Sequence, residues 1–362
     1  MFIRPLATFA LAVALLLPAA VLAQDRGPTL TEITEAWLAS PHADRSAEAF
    51  THWDEDGEIP GRCAVCHSST GVLDYLQGPM ETVGAIDHPV GIGTVVSCAT
   101  CHSSAAANLD SVPFPSGVHV TLERGSAVCA VCHQGRAATG TVNAAIGSGE
   151  PDTVSADLGF INSHYALSSA AQQGSAVHGG YEYPGRRYAG PYAHVPEFNT
   201  CVSCHRPHSL EVNLASCTSC HENADSFAAI RTSPLDYDGD GDTSEGITAP
   251  IATLHAQLGE AIALYAAEVA GTPIVYSTGS FPYFFIDTDG DGAVSEGEDA
   301  YPNRYQSWTP RLLRAAYNYQ FVAQDGGASY SHNPHYALQL LYDSLADLSE
   351  SVAVDLSMLT RP

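Results

Sequence analysis

Cysteine occurs ten times in this chain, and all ten fall inside a single pattern, Cys-x-x-Cys-His. The five copies are Cys63/Cys66/His67, Cys98/Cys101/His102, Cys129/Cys132/His133, Cys201/Cys204/His205 and Cys217/Cys220/His221. Two thiols three positions apart can bond the two vinyl groups along one edge of a haem, and the adjacent imidazole then lies beneath the iron. Cys-x-x-Cys-His is accordingly the attachment pattern of c-type haem. Structural zinc calls for four cysteines, or two cysteines with two spaced histidines, and does not need a histidine directly after every second thiol. A thioredoxin-like redox pair would be one motif between a strand and a helix, not five in loops. A disulfide scaffold suits a short secreted chain, and this one has 362 residues. The expected cofactors are therefore five covalently attached haem c groups.

The spacing of the motifs bounds the fold. Residues 63–221 hold all five, about 32 residues for each, too little to wrap every macrocycle in its own polypeptide core. The haems are expected to supply much of the buried apolar material and to pack against one another. Gly, Ser, Ala and Pro are frequent in this stretch, which predicts a mainly α fold with extensive loops, short helices and little β-sheet. Only eleven residues separate His205 from Cys217, so the last two haems should be close neighbours, whereas 67 residues lie between His133 and Cys201. That insert carries Tyr165, Tyr181, Tyr183, Tyr188 and Tyr192 together with His164, His178 and His194. It is expected to leave the haem row and return to it, supplying ligands on the way.

The N-terminus, MFIRPLATFALAVALLLPAAVLAQD, has a positive head at Arg4, an apolar run to Leu17 and a small residue, Ala23, at the cleavage position. Residues 1–23 therefore read as a secretory signal peptide and not as a membrane span. No other apolar run approaches bilayer length. An exported protein is expected, periplasmic or extracellular, in keeping with covalent haem attachment outside the bacterial cytoplasm. Forty Asp and Glu stand against fourteen basic residues, every one of them arginine. Nucleic acid and anionic membrane surfaces are poor partners for that charge. The chain divides into the signal peptide 1–23, a haem-binding region 24–221, a calcium-loop region 222–308 and C-terminal helices 309–362 packing on the haem region.

The third of these regions carries two acidic loops. DTDGDGAVSEGE, residues 287–298, matches the EF-hand calcium loop position by position. Asp287, Asp289 and Asp291 supply the first oxygens, Gly292 the sharp turn, Ala293 a carbonyl, Ser295 a water-mediated contact and Glu298 the closing carboxylate. DYDGDGDTSEGI, residues 236–247, aligns with it but ends in Ile247 where that carboxylate belongs. Asp236, Asp238, Asp240 and Asp242 form a second, weaker cation candidate, with Glu245 assisting. Between the loops, Ile251, Leu254, Leu258, Ile262, Tyr265 and Val269 recur at helical spacing. Thr309-Pro310 and Asn333-Pro334 each read as the start of a helix, the second with Ala337, Leu340, Leu341, Leu345 and Leu348 on one face.

The stretch CVSCHRPHSLEVNLASCTSCH, residues 201–221, in which Cys-x-x-Cys-His-x-Pro-His precedes a second motif, resembles the doubled haem motif of bacterial multihaem cytochromes c. Residues 331–345, SHNPHYALQLLYDSL, and the lead-in SPHADRSAEAFTHWDEDGEIPGRCAVCH are similar to segments of that class. The resemblance implies a fold organised around packed haems and an exported electron-transfer protein whose partners are other redox proteins, its donor and acceptor. It leaves open self-assembly into a haem filament and extracellular electron transfer.

Beyond the five motif histidines there are eleven others, enough to give every iron a second imidazole. His208 is expected to serve a neighbouring haem, since His205 already serves its own. His332, ahead of Asn333-Pro334, is favoured by the resemblance. His42, His164 and His194 stand beside loop or helix starts and complete the candidate set, with His52 and His88 in reserve. His255, inside an apparent helix, reads as a bonded structural histidine. Two functional readings remain. One is electron transfer along closely spaced bis-histidine haems. The alternative is a multihaem oxidoreductase acting on a small nitrogen or sulfur compound at one open haem, with Arg186 and Arg187 beside it.

Overall fold

Among the described residues, the three longest helices lie where apolar spacing and capping residues predict them. The computed structural model describes residues 27–222 and 224–362; the signal peptide expected at 1–23 lies outside the described residues. Helix Thr248–Glu268 carries Leu254, Leu258, Ile262 and Tyr265 on its buried face. Helix Pro310–Ala323 opens with the Thr309 hydroxyl accepting from the Leu312 amide at 3.1 Å. Helix Pro334–Leu348 opens with Asn333 Oδ1 accepting from the Tyr336 amide, also at 3.1 Å. In both cases the side chain satisfies an amide that has no partner within the helix, and proline at the first helical position costs no hydrogen bond.

These helices pack on one another around Leu254, Leu258, Trp308, Leu312, Leu341 and Leu345, all fully buried. Each such side chain contributes roughly 1.5–3 kcal/mol by leaving water. One buried arginine staples the ends of this unit. Arg311 reaches Asp152 at 2.7 Å, Asp347 at 2.5 Å and Glu350 at 2.9 Å. Among the described residues no helix is long and apolar enough to cross a membrane.

The region of the cysteine motifs is built differently. Its motif helices run only Gly61–His67, Cys98–His102, Ala127–Cys132 and Cys201–Cys204, and the fifth motif lies in a turn following a short 3₁₀ segment. Among the described residues, strands form three two-stranded antiparallel ladders. Glu58–Ile59 pairs with Val90–Gly91, Ser111–Pro113 with His119–Thr121, and Ile274–Tyr276 with Phe284–Ile286. The chain is thus mainly helix and loop with little sheet, as composition predicts.

A second apolar cluster, including Val65, Val72, Tyr75, Val112, Phe114, Val131 and Leu167, takes in Phe321, Tyr336 and Leu340 from the long helices. The two halves are thereby joined. The long insert between the third and fourth motifs runs back across those same helices. Asn318 accepts from the Tyr181 amide at 2.6 Å and donates to its carbonyl at 3.0 Å, while Tyr317 donates to the Gly179 carbonyl at 2.7 Å. A Cβ at Gly180 would sit 2.3 Å from a methyl of buried Leu340, so a larger residue there would displace that side chain.

Candidate functional site

All ten cysteines and all five motif histidines line one cavity of about 2120 Å³. Ligand pockets for single small molecules are typically about 300–1,000 Å³, so this volume suits several large groups, not one. Its walls include Trp37, Trp53, Phe198, Phe227, Phe281 and Tyr330. The short motif helices place neighbouring thiols together. Cys66 meets Cys132, and Cys129 meets Cys201. No cysteine is in a disulfide among the described residues.

The histidines are arranged in pairs across this cavity. The ring centres of His42 and His133 are 6.2 Å apart, those of His67 and His164 5.9 Å, and those of His102 and His208 6.0 Å. His194 and His221 are 5.8 Å apart, and His205 and His332 6.5 Å. Each pair joins one motif histidine to one histidine outside the motifs, and no histidine is used twice. An iron about 2 Å from each of two coordinating nitrogens, with each ring centre about 1 Å beyond, sets two imidazole centres about 6 Å apart. The residues present therefore fit six-coordinate haem c: thiols to hold the porphyrin edge, and facing imidazoles at a spacing that one metal ion spans.

Hydrogen bonds at the far side of several rings orient them for that role. Nδ1 of His67 bonds the Ala49 carbonyl at 2.7 Å, that of His133 the Ala166 carbonyl at 3.0 Å, and that of His205 the Leu210 carbonyl at 3.0 Å. A carbonyl can only accept, so Nδ1 carries the proton and Nε2 is left with a lone pair free to bind a metal. Burial, and then the neighbouring His133, pushes His42 down to about 4. Burial, and then His67, does the same to His164. Both stay neutral at pH 7, the form a metal ligand requires. His164 also has φ of 78°, a conformation costly for a residue with a Cβ. Its amide bonds Asn162 Oδ1 at 2.8 Å, which holds the turn that aims its ring at His67.

His332 differs from the rest. Its Nδ1 faces a carboxylate, that of buried Asp325, at 2.8 Å. Burial pulls His332 down, yet the hydrogen bond and charge of Asp325 carry it above its ordinary value. Sequence reading missed Asp325; its only signal is an acidic residue seven positions before the candidate histidine.

Of the other six histidines, five have hydrogen-bond partners of their own. His52 bonds Glu48 at 2.8 Å, and His88 bonds Asp87 at 2.8 Å and Asp74 at 3.3 Å. His178 bonds Glu182 at 2.7 Å, and His119 lies exposed in its ladder strand. His255 bonds the Tyr319 carbonyl at 2.9 Å, and His335 the Tyr237 hydroxyl at 3.4 Å. Arg186 and Arg187 are not among the cavity-lining residues; Arg186 instead approaches Asp343 at 3.8 Å. The arginines on the wall are Arg62, Arg136 and Arg231.

Both acidic loops take the same backbone course. Asp287 accepts from the amides of Gly290 at 2.7 Å and Gly292 at 3.0 Å. Asp236 accepts from those of Gly239 at 2.7 Å and Gly241 at 2.9 Å. In the later loop Asp287, Asp289 and Asp291 bring carboxylate oxygens within 4.8 Å of one another. Ser295 donates its hydroxyl to Asp289 at 2.8 Å. Glu298 is buried and accepts from the amides of Thr288 at 2.6 Å and Ser295 at 2.9 Å; those bonds, led by the Thr288 side chain, hold its carboxyl down at about 2. The Ile274–Tyr276 and Phe284–Ile286 ladder leads straight into this loop, and no sequence signal pointed to it. In the earlier loop Asp236, Asp238 and Asp240 come together in the same way, while Asp242 turns to cap Ser244 at 2.7 Å.

No protein-family profile matches the chain, and no solved structure does. Among curated proteins it is similar to the C-type polyheme cytochrome OmcB of Geobacter sulfurreducens, 27% identical over 377 residues, covering 85% of this chain and 47% of that protein. It is likewise 27% identical to the C-type polyheme cytochrome OmcC of the same species, over 404 residues covering 92% of this chain and 48% of that one. The chain spans about half the length of the curated relatives it matches. Motif chemistry, cavity and similarity together support a multihaem c-type cytochrome.

Proposed function

We propose that the chain is an exported pentahaem cytochrome that transfers electrons between other redox proteins, each of its irons held by two histidines. The observation that carries this reading is the pairing itself: five motif histidines, five partners, ring centres 5.8 to 6.5 Å apart, all on one cavity. Haem c bound there would supply a one-electron couple, with the paired histidines holding it in either oxidation state. The chain's part is to fix the rings, exclude water and set the electrostatics around them. The proximal set is His67, His102, His133, His205 and His221, and the distal set His164, His208, His42, His332 and His194, in that order. The oxidoreductase reading needs a motif histidine without a facing ring, and each of the five faces one.

Electron paramagnetic resonance of the oxidised holoprotein tests this. Five low-spin irons and no high-spin signal are expected. One high-spin iron that binds nitrite or hydroxylamine would overturn the electron-carrier reading in favour of the oxidoreductase.

We further propose that residues 287–298 bind calcium and stiffen the segment leading to the last two helices. The set of hard oxygens around Asp287, Asp289, Asp291 and Glu298 suits that ion. Glu298→Gln is expected to weaken calcium retention at least tenfold, through loss of the closing carboxylate, with haem content unchanged. Calorimetry on both proteins measures it, and equal affinity in the two would contradict the assignment.

A further inference from the structure

The loop at 236–247 lacks the closing carboxylate of its partner loop, because Ile247 occupies that position and is buried in the core beneath helix Thr248–Glu268. It nonetheless gathers three aspartate oxygens within 4.8 Å. Clustered acids alone would signify little. A second observation points to a ligand. Asp238 is only 7% exposed, and its Oδ1 lies in the interior with no hydrogen-bond partner. A buried carboxylate oxygen without a partner is costly, and two aspartates beside it add repulsion. Glu245, two positions before Ile247, also has a buried oxygen, Oε1, without a hydrogen-bond partner.

One cation is already present. Arg231 approaches Glu245 Oε1 at 3.5 Å. Its guanidinium is otherwise committed to backbone carbonyls, at 2.9 Å to Ser233, at 3.4 Å to Glu245, and to Leu235. A single charge so placed leaves Asp236, Asp238 and Asp240 without a counter-ion of their own.

We infer that residues 236–245 form a second divalent-cation site, in which Asp236, Asp238 and Asp240 are the ligands and Glu245 replaces the carboxylate missing at Ile247. A donor set made only of hard oxygens favours calcium over softer transition metals. Asp242 takes no part through its carboxylate, which is spent on Ser244. Tyr237, held between two of the ligands, bonds the cavity-lining His335 through its hydroxyl at 3.4 Å, so the ion lies close to the haem cavity. This site stands independently of the one at 287–298.

Calorimetric titration of calcium-stripped holoprotein with calcium chloride tests it, using Asp238→Asn, Glu245→Gln and Glu298→Gln variants. The expected stoichiometry is two ions per chain in the parent and one in each of Asp238→Asn and Glu298→Gln. Glu245→Gln is expected to weaken one site at least tenfold. Haem content and far-ultraviolet circular dichroism check that each variant is folded. If Asp238→Asn is misfolded, Glu245→Gln decides alone. A parent that binds no calcium would overturn the inference. So would stoichiometry and affinity in both loop variants equal to the parent's, and this result leaves the 287–298 assignment standing. Loss of a site in Glu298→Gln only would place calcium in the later loop alone.

Discussion

Made without haem attachment, the chain will lose the structure of residues 40–221 while the helices Thr248–Glu268, Pro310–Ala323 and Pro334–Leu348 keep theirs. The motif helices contain four to seven residues, far below the roughly 12–15 at which an isolated helix becomes even marginal in water. Their stability is expected to come in large part from the haems they would surround. Without the macrocycles, the apolar side chains lining the 2120 Å³ cavity would be left to water, each forgoing up to roughly 1.5–3 kcal/mol of burial. A whole domain is stable by only about 5–15 kcal/mol. The three long helices have an apolar core of their own around Leu254, Leu312 and Leu341. Hydrogen exchange on haem-free and haem-loaded protein should therefore differ by orders of magnitude in the first region and little in the second. Equal protection of residues 40–221 in both would show that the polypeptide, not the macrocycles, makes that core.

Replacing His332 by alanine is expected to turn one of five low-spin irons high-spin and leave the other four unchanged. His332→Met should restore the low-spin state while raising that haem's potential on the order of 0.1 V, since thioether ligation raises the potential and axial ligands span about 0.8 V in all. Asp325→Asn separates ligation from tuning. With His332 as a haem ligand, the carboxylate 2.8 Å from its Nδ1 would favour the oxidised iron by making that imidazole more electron-rich. Its loss should raise one potential by tens of millivolts, about 59 mV for each tenfold change in a one-electron equilibrium, with all five irons still low-spin. Spectroelectrochemical titration of the three variants reads each outcome. An Asp325→Asn protein with five unchanged potentials would deny that carboxylate its role.

What could be read from the sequence followed the chemistry of each region. The motif residues were plain because covalent attachment fixes three side chains in five consecutive positions. Helix Thr248–Glu268 was plain because its buried face packs on protein, so Leu254, Leu258 and Tyr265 keep the 3.6-residue period. The motif region has no such period, because its helices are only one or two turns long and divide their surfaces between an apolar cluster (Val65, Val131) and the cavity. His42, His164, His194, His208 and His332 stood out as candidates by their places beside loops, motifs and caps. Their partners did not. His208 faces His102, from a motif a hundred residues earlier, and nothing local encodes that meeting. Nor does anything local encode the left-handed turn at His164 or the carboxylate of Asp325; both are set by tertiary packing.

Intact mass spectrometry of the exported protein, under denaturing and reducing conditions, bears most directly on the central claim that haem is covalently threaded along this chain. The expected mass is the mature polypeptide plus five haems, falling by one haem when Cys129 and Cys132 are both replaced by alanine. A bare polypeptide with ten free or disulfide-bonded cysteines would contradict the account at its root.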